Sequence, residues 1–214
     1  MEFNRSMNTR FALIGTLFAT VAVMADRRSL FDGKTLANWE GNTQVWRVES
    51  GLLVGGDGKT SLKNNEFLAS RDEFGDFVLT LKFRLEGTEG FVNSGVQFRS
   101  QRVPNDPEMV GYQADIGDGW YGCLYDESRR NVVLARPTEE VLKKALHPLG
   151  QWNDYEVRCE GRHIVIRLNG EVTVDYTESD PKIPVTGHLG LQVHGGGKTR
   201  VSFKDIEIET HPTK

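Results

Sequence analysis

Between Phe77 and Leu85 the chain alternates residue by residue, with Phe77, Leu79, Leu81, Phe83 and Leu85 on one side and Val78, Thr80, Lys82 and Arg84 on the other. A period of two is that of a strand with one buried face. Ile164–Leu168, Val172–Tyr176 and Val201–Phe203 behave similarly. Asn169-Gly170 separates the first two of these runs and predicts a type I′ hairpin, whose two central residues both need positive φ. Helical spacing is credible in one place. Thr138 caps it, Glu139 and Glu140 suit the positive end of the helix dipole, Val141, Leu142, Ala145 and Leu146 form an apolar stripe, and Pro148 ends it. One short helix among strands makes no repeated βαβ unit. The pattern predicts an all-β fold, one antiparallel sandwich whose two sheets bury apolar inner faces.

The start of the chain obeys a different rule. Arg5 and Arg10 precede a mostly apolar run from Phe11 to Met24, and Val23-Met24-Ala25 places small residues where a signal peptidase reads them. Residues 1–25 are therefore expected to be a signal peptide cut between Ala25 and Asp26, and residues 26–214 a single domain, periplasmic or secreted. The apolar run is short for a membrane span, and Asp26, Arg27 and Arg28 follow at once, so no stable insertion is expected after cleavage. With 26 basic against 30 acidic residues there is no basic excess to hold a phosphate backbone, and nucleic acid is not an expected partner. Cys123 and Cys159 are too few for a disulfide framework. Cys159 shares a strand face with Tyr155 and Val157, and two buried thiols are expected rather than a bridge.

Chemistry enters through the polar side of some strands. Alternation pairs Gln97 with Arg99, Gln113 with Asp115, and Gln192 with His194, with Gly190 leaving room beside the last pair. Ordinary solvent faces favour Lys, Glu and Thr, whereas amides, Arg, Asp and His make fixed hydrogen bonds to hydroxyls and carbonyls. If these strands are neighbours, they line a groove for a polyol. Trp120, Tyr121, Tyr125 and Trp152 lie in or beside Gly-rich turns, where a ring can stack on a sugar face; Trp39 and Trp46 fit strand patterns and read as core. Glu66 and Asp115 are candidates for the opposed carboxylates of an ordinary glycosidase. Asp115, Asp118 and Asp126 offer oxygen to a hard cation, so a divalent ion, with Asp115 and His194 as ligands, stays open as a cofactor. Gly195-Gly196-Gly197-Lys198-Thr199 and Gly58-Lys59-Thr60 lack the earlier glycine of a phosphate loop and read as turns. With no dinucleotide fingerprint, a nicotinamide redox step is not expected of this chain, and there is no nucleophile elbow.

Leu30-Phe31-Asp32-Gly33-Lys34, Asn93–Arg99, Gly150-Gln151-Trp152-Asn153-Asp154-Tyr155, Arg167-Leu168-Asn169-Gly170 and Gly190–Gly195 together resemble the family of secreted jelly-roll domains that hydrolyse 3-keto-glycosides. The resemblance runs from about Ser29 to Thr210. It implies a concanavalin A-like, lectin–glucanase type of sandwich acting on a sugar whose C3 hydroxyl a separate sugar dehydrogenase has already oxidised. The ketone acidifies C2–H, the C1 aglycone leaves by elimination, and water adds to the enone. On that reading His194 is the base and Arg99 stabilises the enolate. Asp115 orients His194, is itself the base, or holds a metal. Gln97, Gln113, Gln192, Glu66, Tyr125, Trp120 and Trp152 bind the substrate. The rival is a non-catalytic carbohydrate-binding module on the same sandwich.

Overall fold

The structure, a computed structural model, describes Met1 and residues 26–211. Apart from Met1, the expected signal peptide lies outside the described residues. The chain enters with β1 (Asp26–Ser29), β2 (Trp39–Glu40), β3 (Trp46–Glu49) and β4 (Leu52–Gly55). The long strands β5 (Glu66–Phe74), β6 (Asp76–Glu86), β7 (Asn93–Arg102) and β8 (Met109–Gly117) follow. Next come β9 (Leu124–Glu127), β10 (Val132–Ala135) and α1 (Glu139–Ala145). The chain closes with β11 (Asn153–Glu160), β12 (His163–Leu168), β13 (Glu171–Thr177), β14 (Gly187–Val193) and β15 (Arg200–His211).

Two antiparallel sheets face each other. The eight-stranded sheet runs β13-β12-β11-β6-β15-β4-β3, with β1 on the free side of β15; the seven-stranded sheet runs β10-β9-β8-β7-β14-β5-β2. The alternation in β6 decides its orientation: Phe77, Leu79, Leu81, Phe83 and Leu85 are all buried. They share one core with Val96, Phe98, Ala114, Ile116 and Leu191 of the opposite sheet. Each such side chain contributes about 1.5–3 kcal/mol by leaving water. Trp39 and Trp46 are core residues, as their strand patterns predict, and Cys123 and Cys159 are buried free thiols. The fold is a jelly-roll sandwich of the concanavalin A-like kind.

Local signals read from the sequence hold at two turns. Asn169 and Gly170 take φ of 48° and 85°, the positive pair a type I′ turn requires. The Thr138 hydroxyl accepts from the Val141 amide at the start of α1. Alternation fails at one consequential place. Between Phe98 and Gln101 the register of β7 against β8 slips, and Arg99 sits in the bulge with φ of 50°. A bulge re-aims its side chain, and Arg99 is thereby committed to structure. Its guanidinium donates to the carbonyls of Gly75 (2.9 Å) and Gly161 (2.6 Å) and to the Asp76 carboxylate (3.0 Å), tying two turns together at the far end of the sandwich.

Candidate functional site

The outward face of the seven-stranded sheet carries the unusual polar groups. Strand pairing puts Asp115 opposite Gly95, and Gly95 opposite Gln192, so three strands deliver their side chains to one spot. Gly95 makes the arrangement possible: a Cβ there would sit 2.5 Å from the Gln113 side-chain carbon Cδ. Through that gap the Gln113 amide reaches the Asp115 carboxyl (3.0 Å), the Glu127 carboxyl (3.3 Å) and the Gln192 amide oxygen (3.3 Å). Gln192 in turn donates to Glu127 at 3.4 Å. Asp115 is also held from behind. Tyr155 of the opposite sheet donates its hydroxyl to the Asp115 carbonyl at 2.6 Å and accepts from the Gly122 amide at 3.0 Å.

A cavity of about 240 Å³ lies over this cluster, lined by Asn93, Gln113, Asp115, Glu127, His194 and the rings of Phe91, Trp120 and Tyr125. The three rings form a chain of edge-on contacts, Phe91 to Trp120 at 6.4 Å and Trp120 to Tyr125 at 5.7 Å, while Phe91 stands 4.7 Å from the His194 ring. Gly197 sets the position of Phe91, since any Cβ at Gly197 would lie 2.1 Å from the Phe91 carbonyl. Rings above a bed of amides and carboxyls suit a sugar, which has an apolar face and a hydroxyl edge.

The electrostatics are equally particular. Burial raises the Asp115 carboxyl well above the usual carboxylate range; the Gln113 bond opposes this and the nearby Glu127 adds to it. Burial, helped by the negative charge of Glu108 and against the bonds from Gln192 and Gln113, pushes Glu127 up to about 7. Among the described residues no cation pairs with either group, so both are shifted toward the protonated form. His194 moves the other way, lowered by burial against the effect of its bond to Gly195. That bond is 2.6 Å from Nδ1 to a carbonyl oxygen, which only accepts. Nδ1 therefore carries the hydrogen, and Nε2 is left with a lone pair. Asp115 Oδ2 and Gln113 Oε1 are buried without a partner among the described residues, an expensive state that structure alone would not need.

The residues singled out from the sequence divide. Gln113, Asp115, Gln192, His194, Tyr125 and Trp120 come together here. Gln97 shares the face but not the cavity, since its amide donates to the Met109 carbonyl at 3.3 Å. The space left by Gly190 is filled by the Met109 side chain, whose sulfur would be 2.7 Å from a Cβ there. Arg99 is excluded by its bulge. Trp152 lies on the outer face of the other sheet, with Arg84 at 5.0 Å and Lys204 at 4.5 Å over its ring. Glu66 accepts from Asn42 at 3.2 Å and lines a different cavity, so it cannot oppose Asp115 in a two-carboxylate mechanism. Among the described residues no group of three or more His, Cys, Asp or Glu side chains could hold a metal, and Asp126 is turned inward against Arg129 and Arg130. Glu127, Asn93 and Phe91 are additions. Glu127 was within reach of the sequence, because it falls on the same strand face as Tyr125 two residues before it.

Comparison with known proteins fits this geometry. No curated protein matches the sequence. Among solved structures, a candidate glycosyl hydrolase from Parabacteroides distasonis is 21% identical with a TM-score of 0.65, covering 86% of this chain and 94% of that one. A carbohydrate-binding module from Bacillus subtilis is 16% identical with a TM-score of 0.63, over 81% and 96%. These likenesses establish the shared sandwich. The sequence profile of the 3-keto-alpha-glucoside-1,2-lyase-like domain matches residues 26–209, nearly all of the chain. The chain belongs to that family.

Proposed function

We propose that this protein is an exported enzyme that cleaves 3-keto-glycosides by elimination. The observation that carries the proposal is a neutral imidazole beside a carboxyl poised near neutrality, in a small cavity walled by rings. His194 Nε2 takes the proton from C2, and the C2–H electrons form the enolate with the C3 ketone. The enolate then expels the C1 substituent, and Glu127 gives its proton to the departing oxygen. Water adds across the resulting C1=C2 bond, hydroxyl to C1 and hydrogen to C2, and the sum is hydrolysis. Asp115, kept protonated by burial, supplies neutral hydrogen bonding where a second carboxylate would repel the enolate. Gln113 and Gln192 orient hydroxyls, and Phe91, Trp120 and Tyr125 hold the ring.

This assignment moves enolate stabilisation away from Arg99 and gives the proton-donor role to Glu127. The C3 ketone must be made by a separate dehydrogenase acting on the same sugar. Export rests on the leader features of residues 1–25, and N-terminal sequencing of secreted protein beginning at Asp26 checks it.

The decisive experiment compares an aryl 3-keto-glucoside with the unoxidised aryl glucoside. Phenol release from the first alone supports elimination. Release from both points to ordinary hydrolysis, and tight binding of both without release to a carbohydrate-binding module.

A further inference from the structure

Two further cavities follow the catalytic one, each sharing lining residues with the one before it. On the other side of His194 lies a second cavity of about 640 Å³, edged by Asn65, Asp106 and Glu108 and sharing His194 with the first. Beyond it a third, of about 580 Å³, is edged by Asn42, Glu66 and Arg102, and shares Val103 and Asp106 with the second. The order of the strands gives the same sequence of sites. Glu127 ends β9, His194 follows β14, Asn65 and Glu66 mark the start of β5, and Asn42 follows β2 at the sheet edge. The three cavities therefore follow one another across the strands of this sheet. The loop after Arg102 is held in place beside them, for the Arg102 guanidinium donates to the carbonyls of Pro107 (2.8 Å), Phe67 (2.9 Å) and Glu40 (3.0 Å).

The linings differ in kind. Phe, Tyr and Trp side chains wall only the catalytic cavity; the second shares the His194 imidazole with it, and the third touches only Phe67, which is fully buried. The outer cavities present amides and carboxylates, with one cation each, Lys63 in the second and Arg102 in the third; carboxylates outnumber cations in both, so hydroxyls suit them better than an aromatic or an anionic group. Together the outer cavities far exceed the catalytic one in volume.

We infer that the leaving group is itself a chain of neutral sugar units, which lies across β14, β5 and β2 while the oxidised terminal sugar sits under Phe91, Trp120 and Tyr125. The inference rests on the elimination reading. It concerns the length and chemistry of the substrate, so the two fail differently.

The test measures kcat/KM for 3-keto-glucosides whose leaving group is a nitrophenol, one, two or three neutral glucose units, or a uronic acid oligomer. The expected result is a rise of about tenfold or more between one and three units, equivalent to roughly 1.4 kcal/mol of added transition-state binding, with the uronate series below the neutral one. Glu66→Ala should collapse the ratio of the three-unit to the one-unit rate toward one, with an unchanged melting curve to show intact folding. A flat length series with normal nitrophenol release would overturn the extended groove and leave the elimination reading standing. Higher rates on the uronate series also overturn it. Release from no 3-keto substrate overturns both.

Discussion

Asp126 and Glu127 are neighbours in β9 and point to opposite sides of one sheet, into two buried polar clusters of opposite character. On the inner side Asp126 pairs with Arg129 and Arg130, and Arg130 also pairs with Glu178 at 2.7 Å, where Glu178 accepts from the Tyr112 hydroxyl at 2.7 Å. Burial alone would raise Glu178, but Arg130, the Asp180 amide and the Tyr112 hydroxyl outweigh it and hold it at about 2. On the outer side Glu127 and Asp115 have amides for partners and, among the described residues, no cation, and both are raised. The inner cluster spends its charges on one another and fixes the fold. The outer cluster raises its carboxyls, lowers its imidazole and leaves oxygens unpartnered, which is costly unless a ligand completes it.

His194→Gln should produce the largest effect on the outer cluster, lowering turnover by about two to four orders of magnitude while leaving substrate affinity and melting temperature near wild type. Normal turnover on an aryl 3-keto-glucoside would remove His194 as the base. On the inner cluster Asp126→Ala strands Arg129 and should cost about 3 kcal/mol of stability, read from urea denaturation, with near-normal turnover in the molecules that stay folded. A loss of activity without loss of stability would reverse the contrast between the clusters. Gly95→Ala is smaller: the new methyl must push the Gln113 side chain aside, and kcat should fall by roughly tenfold with about 1–3 kcal/mol of overpacking strain. Wild-type kcat/KM should also be bell-shaped, its acid limb below the usual histidine value for His194 and its alkaline limb near 7 for Glu127. An alkaline limb absent up to pH 9 would remove Glu127 as the proton donor.

Period-two alternation carried the sequence reading wherever the strand was regular. It oriented β6, and it placed Gln113, Asp115, Gln192 and His194 on a common face, because the first three lie in unbroken segments of central strands and His194 directly follows the end of β14. Arg99 defeated it for a definite reason. A bulge on a non-glycine residue with positive φ leaves no mark in the sequence, yet it redirects the side chain that follows Gln97 by two. Glu66 and Trp152 were misplaced because type and proximity to a turn say nothing about which sheet or which end a residue occupies. Phe91 was hidden altogether, since its loop is brought against His194 by the long-range bridge of Gly90 to Gly197 and the Phe91 amide bond to Gly196.

The smallest expected effect separates the two clusters most sharply. Fold raises Glu127 from 4.5 to about 7, so the native state binds its proton more tightly than the unfolded chain does. The penalty for ionising it is absent below about pH 4.5, grows as pH rises through 7, and is fully present above that. Glu127→Gln removes the penalty, so the variant should match the wild type in stability near pH 4 and exceed it at pH 8. Because the side chain is only half-buried, screening reduces the gain to about 1 kcal/mol. Turnover should fall at the same time, since an amide delivers no proton to a leaving oxygen. Glu178 follows the opposite sign: its stabilisation is present above pH 4.5 and is lost as pH falls toward 2, so Glu178→Gln should be destabilising at pH 8. Urea titrations of both variants at pH 4 and pH 8 read the two signs directly. If Glu127→Gln is destabilising at pH 8, its carboxylate is as well compensated as that of Glu178, and the outer cluster is structure rather than a site.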